Sequence, residues 1–417
     1  HAVPLPDGSF TLFVATQWPE ADLDQASSAL AIPRDRLGIV QETIGGAFGG
    51  REDISIQILL LLGAQLSGRP VRMAWEREES VRGHGKRHPF RMHHRLGLDR
   101  DGRFVAATLD LLIDAGCYAS TSRQVLDNAL AHAFGPYRID HVEAQGRAVF
   151  TNNPFTCAFR GFGVNQATFA MEQQVNKAAA ALGVASVELR ERNLVRPPTI
   201  GPMGSRIVAG EGLRETVNAA WNAGSATELP TPGGSTRHGR GFAAAMKNIG
   251  YGFGHDDHAT AEVHWTPERV VVRVGAAEVG QGAETVLTQI AADALGVDAA
   301  AIRLDWRDSS ISPEAGSSSA SRQTMASGNA VLAACTALRD RVEASGVSGP
   351  PPEGLCERAT WRFPETEPFD RTPGRHLAAF GWGACVADVA VDVDTGQVTV
   401  LRVTQAVDAG RVVNPAL

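Results

Sequence analysis

The chain is poor in the residues that most often announce a function. Its five cysteines among 417 residues, Cys117, Cys157, Cys335, Cys356 and Cys385, are far apart and never fall as Cys-x-x-Cys. That spacing excludes a disulfide framework and a cysteine-built zinc or iron–sulfur nest, and a reducing cytoplasm is the natural setting. Aromatics make up 6% and the net charge is -7 with no basic stripe, which excludes a nucleic-acid surface. The apolar run 54–66 is broken by Ser55, Gln57, Gly63 and Gln65, short of the ~18 residues of a membrane span, and no signal peptide is read at the start. No glycine stretch completes Gly-x-Gly-x-x-Gly, because Gly161-Phe162-Gly163 is followed by Gln166 and Gly280-Gln281-Gly282 by Thr285. A Rossmann nucleotide site is therefore not expected. Gly83-His84-Gly85-Lys86 lacks P-loop spacing, and no Gly-x-Ser-x-Gly marks a hydrolase elbow. His84, His88, His93 and His94 read as exposed imidazoles on a basic strand rather than as metal ligands, since no carboxylate or cysteine stands at ligand spacing.

What the chain has is glycine, 44 residues or about a tenth of its length against the usual ~7%. Three stretches concentrate it: Gly45-Gly46-Ala47-Phe48-Gly49-Gly50-Arg51-Glu52-Asp53, Ala158-Phe159-Arg160-Gly161-Phe162-Gly163, and Glu278-Val279-Gly280-Gln281-Gly282-Ala283-Glu284-Thr285. Each follows a β-rich run and precedes a helical pattern. Without a Cβ, glycine lets backbone N–H groups approach a ligand closely, and helix N-termini add positive partial charge. Three such loops with different sequences suggest one large anionic cofactor held from several sides.

At this length two or more cores are expected. Periodicity predicts strands at 8–16, 37–43, 71–75, 91–99 and 103–118, with a turn at 99–102, and helices at 22–30, 54–66 and 166–182. Turn formers at 224–240 place a linker between a first domain, 1–223, and a second, 241–417. In the second, strands are expected at 241–248, 258–265 and 269–276, then a helix at 285–295 stopped by Gly296, an extended loop at 345–375, and a closing hairpin of 386–393 with 398–407. Strands mixed with helices in both halves point to two α+β domains. The sequence begins at His1 rather than Met and reads as a piece of a longer polypeptide, lacking both ends.

Over nearly its whole length the chain resembles the molybdenum-cofactor subunit of the xanthine dehydrogenase and aldehyde oxidase family. The resemblance rests on Thr16-Gln17, on Gly45 to Glu52, on Thr151-Asn152-Asn153-Pro154 running to Phe159-Arg160-Gly161-Phe162-Gly163, and on Gly280-Gln281-Gly282, in the family's order. It implies two molybdenum-cofactor-binding α/β domains with mixed sheets and the site between them. It also implies molybdenum held by a molybdopterin dithiolene, with no direct protein ligand and with a cytosine dinucleotide form of the pterin open.

Residue by residue, the resemblance implies that Gln17 donates an amide N–H to the molybdenum oxo group, and that backbone amides of Phe48, Gly49 and Arg160, with Gly46 beside them, cradle the metal's oxygens. Fixed donors of this kind are typically worth about 3–4 kcal/mol each. Gln281 is matched to a pterin-contacting glutamine flanked by Gly280 and Gly282. The run Gly316 to Arg322, with Ser318 and Ser319, is suited to the cofactor's phosphate end, assisted by the Arg322 charge. Phe162 and Phe253 stand where the family sandwiches an aromatic substrate, worth ~0.5–1.5 kcal/mol per aromatic pair. Glu52 matches a substrate-facing glutamate of purine oxidisers, whereas Asn128 stands where those resembling the xanthine enzymes carry an arginine. The implied reaction is hydroxylation of a purine-like or other N-heteroaromatic ring. Aldehyde or carbon monoxide oxidation, and a noncatalytic scaffold or gene fragment, remain as alternatives. The family's proton-abstracting glutamate lies in a further C-terminal domain without a counterpart here, so the chain alone is expected to be inactive. Iron–sulfur and FAD subunits, the missing C-terminal domain and assembly into an oligomer are the implied partners.

Overall fold

The computed structural model describes residues 1–210, 212–266, 268–345, 354–370 and 372–416. Strands β1 (Ala2–Pro4), β2 (Phe10–Val14) and β3 (Leu37–Gln41) form a sheet in that order, with β2 and β3 parallel. Their alternation turns Leu12, Val14, Leu37 and Ile39 onto Leu23 of helix α1 (Pro19–Leu30) and Leu60 and Leu61 of α2 (Gln57–Ser67), closing a first core. The strand expected at 71–75 is one bridge, Val71 to Ala2, because β1 offers just three residues to pair. A short helix, α3 (Arg77–Gly83), follows.

A second sheet, β4 (Phe90–Leu98), β5 (Phe104–Gly116) and β6 (His141–Phe150), turns at Asp99, whose carboxylate accepts the Arg103 amide at 2.8 Å. It crosses over through α4 (Ser122–Ala131) to a parallel partner. The histidines of this region correct the sequence reading, since only His93 is exposed. His88 is buried with Nε2 2.8 Å from Ser122 Oγ, and His94 packs edge-on against Phe134 at 5.7 Å. Burial pushes both imidazoles down to about 4, keeping them neutral. Among the described residues no three His, Cys, Asp or Glu side chains group to hold a metal ion.

Helices α5 (Val164–Leu182), α6 (Ser186–Asn193) and α7 (Gly212–Ser225), with a ribbon of β7 (Thr199–Ile200) and β8 (Arg206–Ile207), pack between that sheet and the long strand β9 (Thr236–Ile249). Strands β10 (His258–Trp265), β11 (Val270–Arg273), β12 (Ile302–Asp305) and β13 (Leu355–Arg362) form a mixed sheet ordered 12-11-10-13. Helices α8 (Ala283–Leu295), capped by Gly296 in the left-handed region, and α9 (Gln323–Ala344) cover it to make a separate core. Strand β13 lies inside the expected loop 345–375, because its residues pair along the whole of β10. Residues 346–353 and 371 of that loop lie outside the described residues. Finally β14 (Ala379–Asp392) and β15 (Val398–Asp408) form the expected hairpin, and β14 pairs with β9. The fold is α+β with mixed sheets. No described helix is long and apolar enough to cross a membrane.

Candidate functional site

The three glycine loops occupy equivalent places, each leaving a strand and entering a helix: β3 to α2, β6 to α5, β11 to α8. Their backbones are constrained. Phe48, Phe162, Phe253, Ala320 and Ser321 all hold positive φ, between 48° and 55°, a region costly for residues with a side chain. Positive φ in bulky residues persists only where surrounding contacts fix it; Phe48 and Phe162 sit on the first two glycine loops, Ala320 and Ser321 on the serine turn, and Phe253 on the turn 250–254.

A continuous set of hydrogen bonds joins the loops. Arg160 N–H donates to Phe48 O at 2.8 Å, and a Cβ on Gly49 would stand 2.8 Å from Ala158 O, so the first two loops touch backbone to backbone. Gln17 Oε1 accepts the amides of Gly49 at 3.1 Å and Arg51 at 3.3 Å, while its Nε2 donates to Ser318 O at 2.8 Å. Ser318 Oγ donates to Ala277 O at 2.6 Å, the same carbonyl that accepts Gln281 Nε2 at 3.0 Å. Gln17, buried at a strand end, therefore pins the first loop to the serine turn, and the serine turn to the third loop.

This geometry changes several expected roles. The amides of Gly49 and Arg160, expected to be free cradling donors, are engaged, the first by Gln17 Oε1 and the second by Phe48 O. Phe48 N–H has no partner among the described residues. At the third loop the amides of Gly280, Gly282 and Glu284 converge on the Glu278 carboxylate, which sits at the α8 N-terminus as a built-in anion. Arg322, expected to assist a phosphate, is fully buried. Its Nε bonds Asp257 Oδ1 at 2.7 Å, its other nitrogens reach the carbonyls of Ala315, Ser317 and His258, and it lies 4.8 Å under the Tyr251 ring. It shapes the serine turn from beneath and offers no free charge to a ligand.

Glu52 lies where the first loop meets the serine turn. Burial pushes its carboxyl up to about 7, opposed by a Ser319 hydrogen bond and helped by the neighbouring Asp53 charge. Asn128 is buried on α4, donates to Phe162 O at 2.8 Å, and leaves its Oδ1 without a partner. Phe162 thus has its backbone held by Asn128, whereas Phe253 packs on Phe369 at 5.5 Å and not on Phe162. Sequence reading passed over Tyr251, whose hydroxyl accepts the Ser317 amide at 2.8 Å and whose ring stacks on Trp18 at 6.1 Å. It also passed over Asp257 and Glu278. The alternation Gly250-x-Gly252-x-Gly254 was a signal for the turn carrying Tyr251 and Phe253.

Models of the molybdopterin cofactor-binding domain match residues 1–194 and, in two overlapping segments, 214–355 and 348–417. The chain belongs to the molybdopterin cofactor-binding family. It is 33% identical to a probable xanthine dehydrogenase subunit of Bacillus subtilis over 99% of this chain and 59% of that protein. It is 37% identical to the nicotinate dehydrogenase large molybdopterin subunit of Eubacterium barkeri over 51% of this chain and 48% of that one. Among solved structures, the aldehyde oxidoreductase of Desulfovibrio gigas shares the fold with a TM-score of 0.88 and 24% identity, covering 99% of this chain and 47% of that one. The chain thus spans about half to three-fifths of the length of these proteins.

The loops fit a molybdopterin. A Cβ built on Gly45 or Gly280 meets nothing within 4 Å, so both glycines face open space, Gly280 next to Gln281. Ser317 Oγ and Asn128 Oδ1 are buried polar atoms without partners, and the Phe48 amide is unpaired. Open glycine surface with unmatched polar atoms suits a planar, hydrogen-bonding heterocycle that brings its own metal.

Proposed function

We propose that the intact protein hydroxylates a purine-like or other N-heteroaromatic substrate with water as the oxygen source. Glu52 carries this reading. It directly follows the first glycine loop and its carboxyl sits near 7, so close to neutral pH it can donate to a ring nitrogen or accept from a ring N–H. The bound pterin supplies the molybdenum chemistry that delivers water-derived oxygen and accepts two electrons. Gly46, Phe48, Gly280 and Ser319 line its seat, and Gln17, Gly49, Arg160, Gln281, Gly282 and Ser318, already bonded within the chain, hold the loops around it. Phe162 and Phe253 orient the substrate ring, and Asn128 fixes the Phe162 turn rather than clamping a charged group.

The same reading assigns residues 1–223 and 241–417 to two pterin-binding units joined by 224–240. It places the proton-abstracting glutamate in further polypeptide and makes these 417 residues inactive alone. Since no cysteine spacing here suits an iron–sulfur cluster, electrons leave through iron–sulfur and FAD subunits.

The test is metal, pterin and nucleotide analysis of the purified complex, followed by kinetics on N-heteroaromatics and aldehydes. Glu52→Val is expected to lower kcat/KM on the heterocycle by roughly 10² or more, the scale of one lost transition-state contact. An unchanged heterocycle rate in that variant would favour the aldehyde reading. A complex without molybdenum would end both.

A further inference from the structure

One face of the β9-β14-β15 sheet is bare. Cross-strand rows run Lys247 beside Gly381; Ala245, Gly383 and Val407; Ala243, Cys385 and Gln405; Gly241, Ala387 and Val403. The opposite face, with Phe242, Ala244, Met246, Trp382 and Val386, is buried in the core under α5 and α7. On the bare side Val403 and Val407 are 57% and 60% exposed. At the β9 edge of the sheet, beside α5, lies an open, mainly apolar cavity of ≈ 540 Å³, lined by Phe169, Ala243, Lys247 and Cys385 and reaching Phe242 and Met246 of the opposite face.

The glycines are the decisive feature. A Cβ at Gly241 would meet nothing within 4 Å, and at Gly381 and Gly383 only a carbonyl oxygen at 3.7 and 3.8 Å. None of the three holds positive φ. Glycine in a strand interior weakens the strand, and here neither space nor backbone conformation among the described residues calls for it. What remains is close approach by something else. Lys247 adds a charge requirement. Its ammonium faces the cavity, bonds only Asn248 Oδ1, and has no carboxylate partner among the described residues. Glu172, on the same wall, is already taken by Tyr137, Arg190 and the Ala244 amide. Burial and the want of a partner push Lys247 down to about 7, and its charge in turn helps keep the nearby His132 neutral.

We infer that this face is the seat of a further segment of the same polypeptide, one that lays apolar side chains on the Gly/Ala/Val rows and sets an aspartate or glutamate opposite Lys247. Similar proteins carry that additional length, since the chain covers 59% of the Bacillus subtilis relative. The inference rests on the proposal above that further polypeptide completes the site.

Cys385 lies in the middle of the face and Cys117 is exposed elsewhere, so native thiols report on it. Alkylation by iodoacetamide, read peptide by peptide, compares the 417-residue chain with the intact polypeptide. We expect Cys385 to slow at least tenfold relative to Cys117 in the intact polypeptide alone. Equal rates in both would overturn the inference, as would protection in the isolated chain with a doubled mass, or protection that arises only when other subunits are added. Gly383→Leu is expected to leave the unfolding midpoint of the isolated chain unchanged and to restore Cys385 reactivity in the intact polypeptide. A lowered midpoint in the isolated chain would show that the glycine serves this chain's own packing. None of these readouts needs molybdenum or activity, so they fail independently of the functional reading.

Discussion

Among the described residues two arginines are fully buried, and they do different things with the same chemistry. Arg190 bonds Glu172 through two nitrogens at 2.9 and 2.7 Å and the carbonyl of Phe242 at 2.9 Å, tying α5, α6 and β9 together. Arg322 bonds Asp257 just as closely and reaches His258 O at the start of β10, yet its remaining donors go to Ala315 and Ser317 in a turn without regular structure. The first joins elements that packing already holds. The second supplies partners to loop carbonyls that no helix or sheet would satisfy, directly behind the residues that meet Gln17. A buried ion pair contributes little net stability in itself, and its value lies in what it orders.

Breaking each pair tests that contrast. Arg190→Met and Arg322→Met should each cost about 3–5 kcal/mol in urea unfolding, because each leaves a buried carboxylate uncompensated. Only Arg322→Met should speed amide exchange at 315–319, by at least tenfold, and lower molybdenum retention. Equal exchange in the two variants would mean that the serine turn is self-supporting.

Glu52 sharpens the contrast from the other side, being a half-buried carboxyl with no arginine partner among the described residues. Its folded value, about 7, lies above the ordinary 4.5, so the unfolded chain ionises first. Stability attributable to this group therefore falls as pH rises from 4.5 to 7 and stays low above it. Glu52→Gln should be more stable at pH 8, by roughly 2–3 kcal/mol, and unchanged at pH 4. Unfolding curves that keep the same offset at both pH values would remove the argument for a strained carboxyl.

Much of this was legible beforehand, and the exceptions share a cause. Strand β10, the stop of α8 at Gly296 and the final hairpin follow from alternation and turn residues, which are local signals. The loops' βα positions were equally local. Helix α9 was passed over because alanine, serine and glycine surround it on every side, leaving no apolar stripe to mark its period. At the site, Gln17, Glu52 and the glycines could be singled out by motif, but the partners of Gln17 and Arg322 could not. Those depend on contacts between residues up to 301 positions apart. Sequence named the donors, and the fold decided which were already engaged.

Glycines within the loops separate packing from ligand contact. Gly49 holds φ +101° with Ala158 O 2.8 Å from where a Cβ would stand. Gly49→Ala should therefore destabilise by about 1–3 kcal/mol and part the first two loops, seen as loss of exchange protection at the Arg160 amide.

Gly45 provides the smallest effect and the cleanest discrimination. Its φ is not positive and a Cβ there meets nothing within 4 Å, so Gly45→Ala should leave unfolding within ~0.5 kcal/mol of the parent. On the proposed reading the pterin lies in the space it faces, where one methyl group would intrude on a ligand but on no part of the chain. Molybdenum and pterin content of the complex should then fall although stability does not. If both hold at parental levels, the cofactor does not lie against this loop, and Gly280, equally open but at φ +94°, becomes the position that decides where it lies.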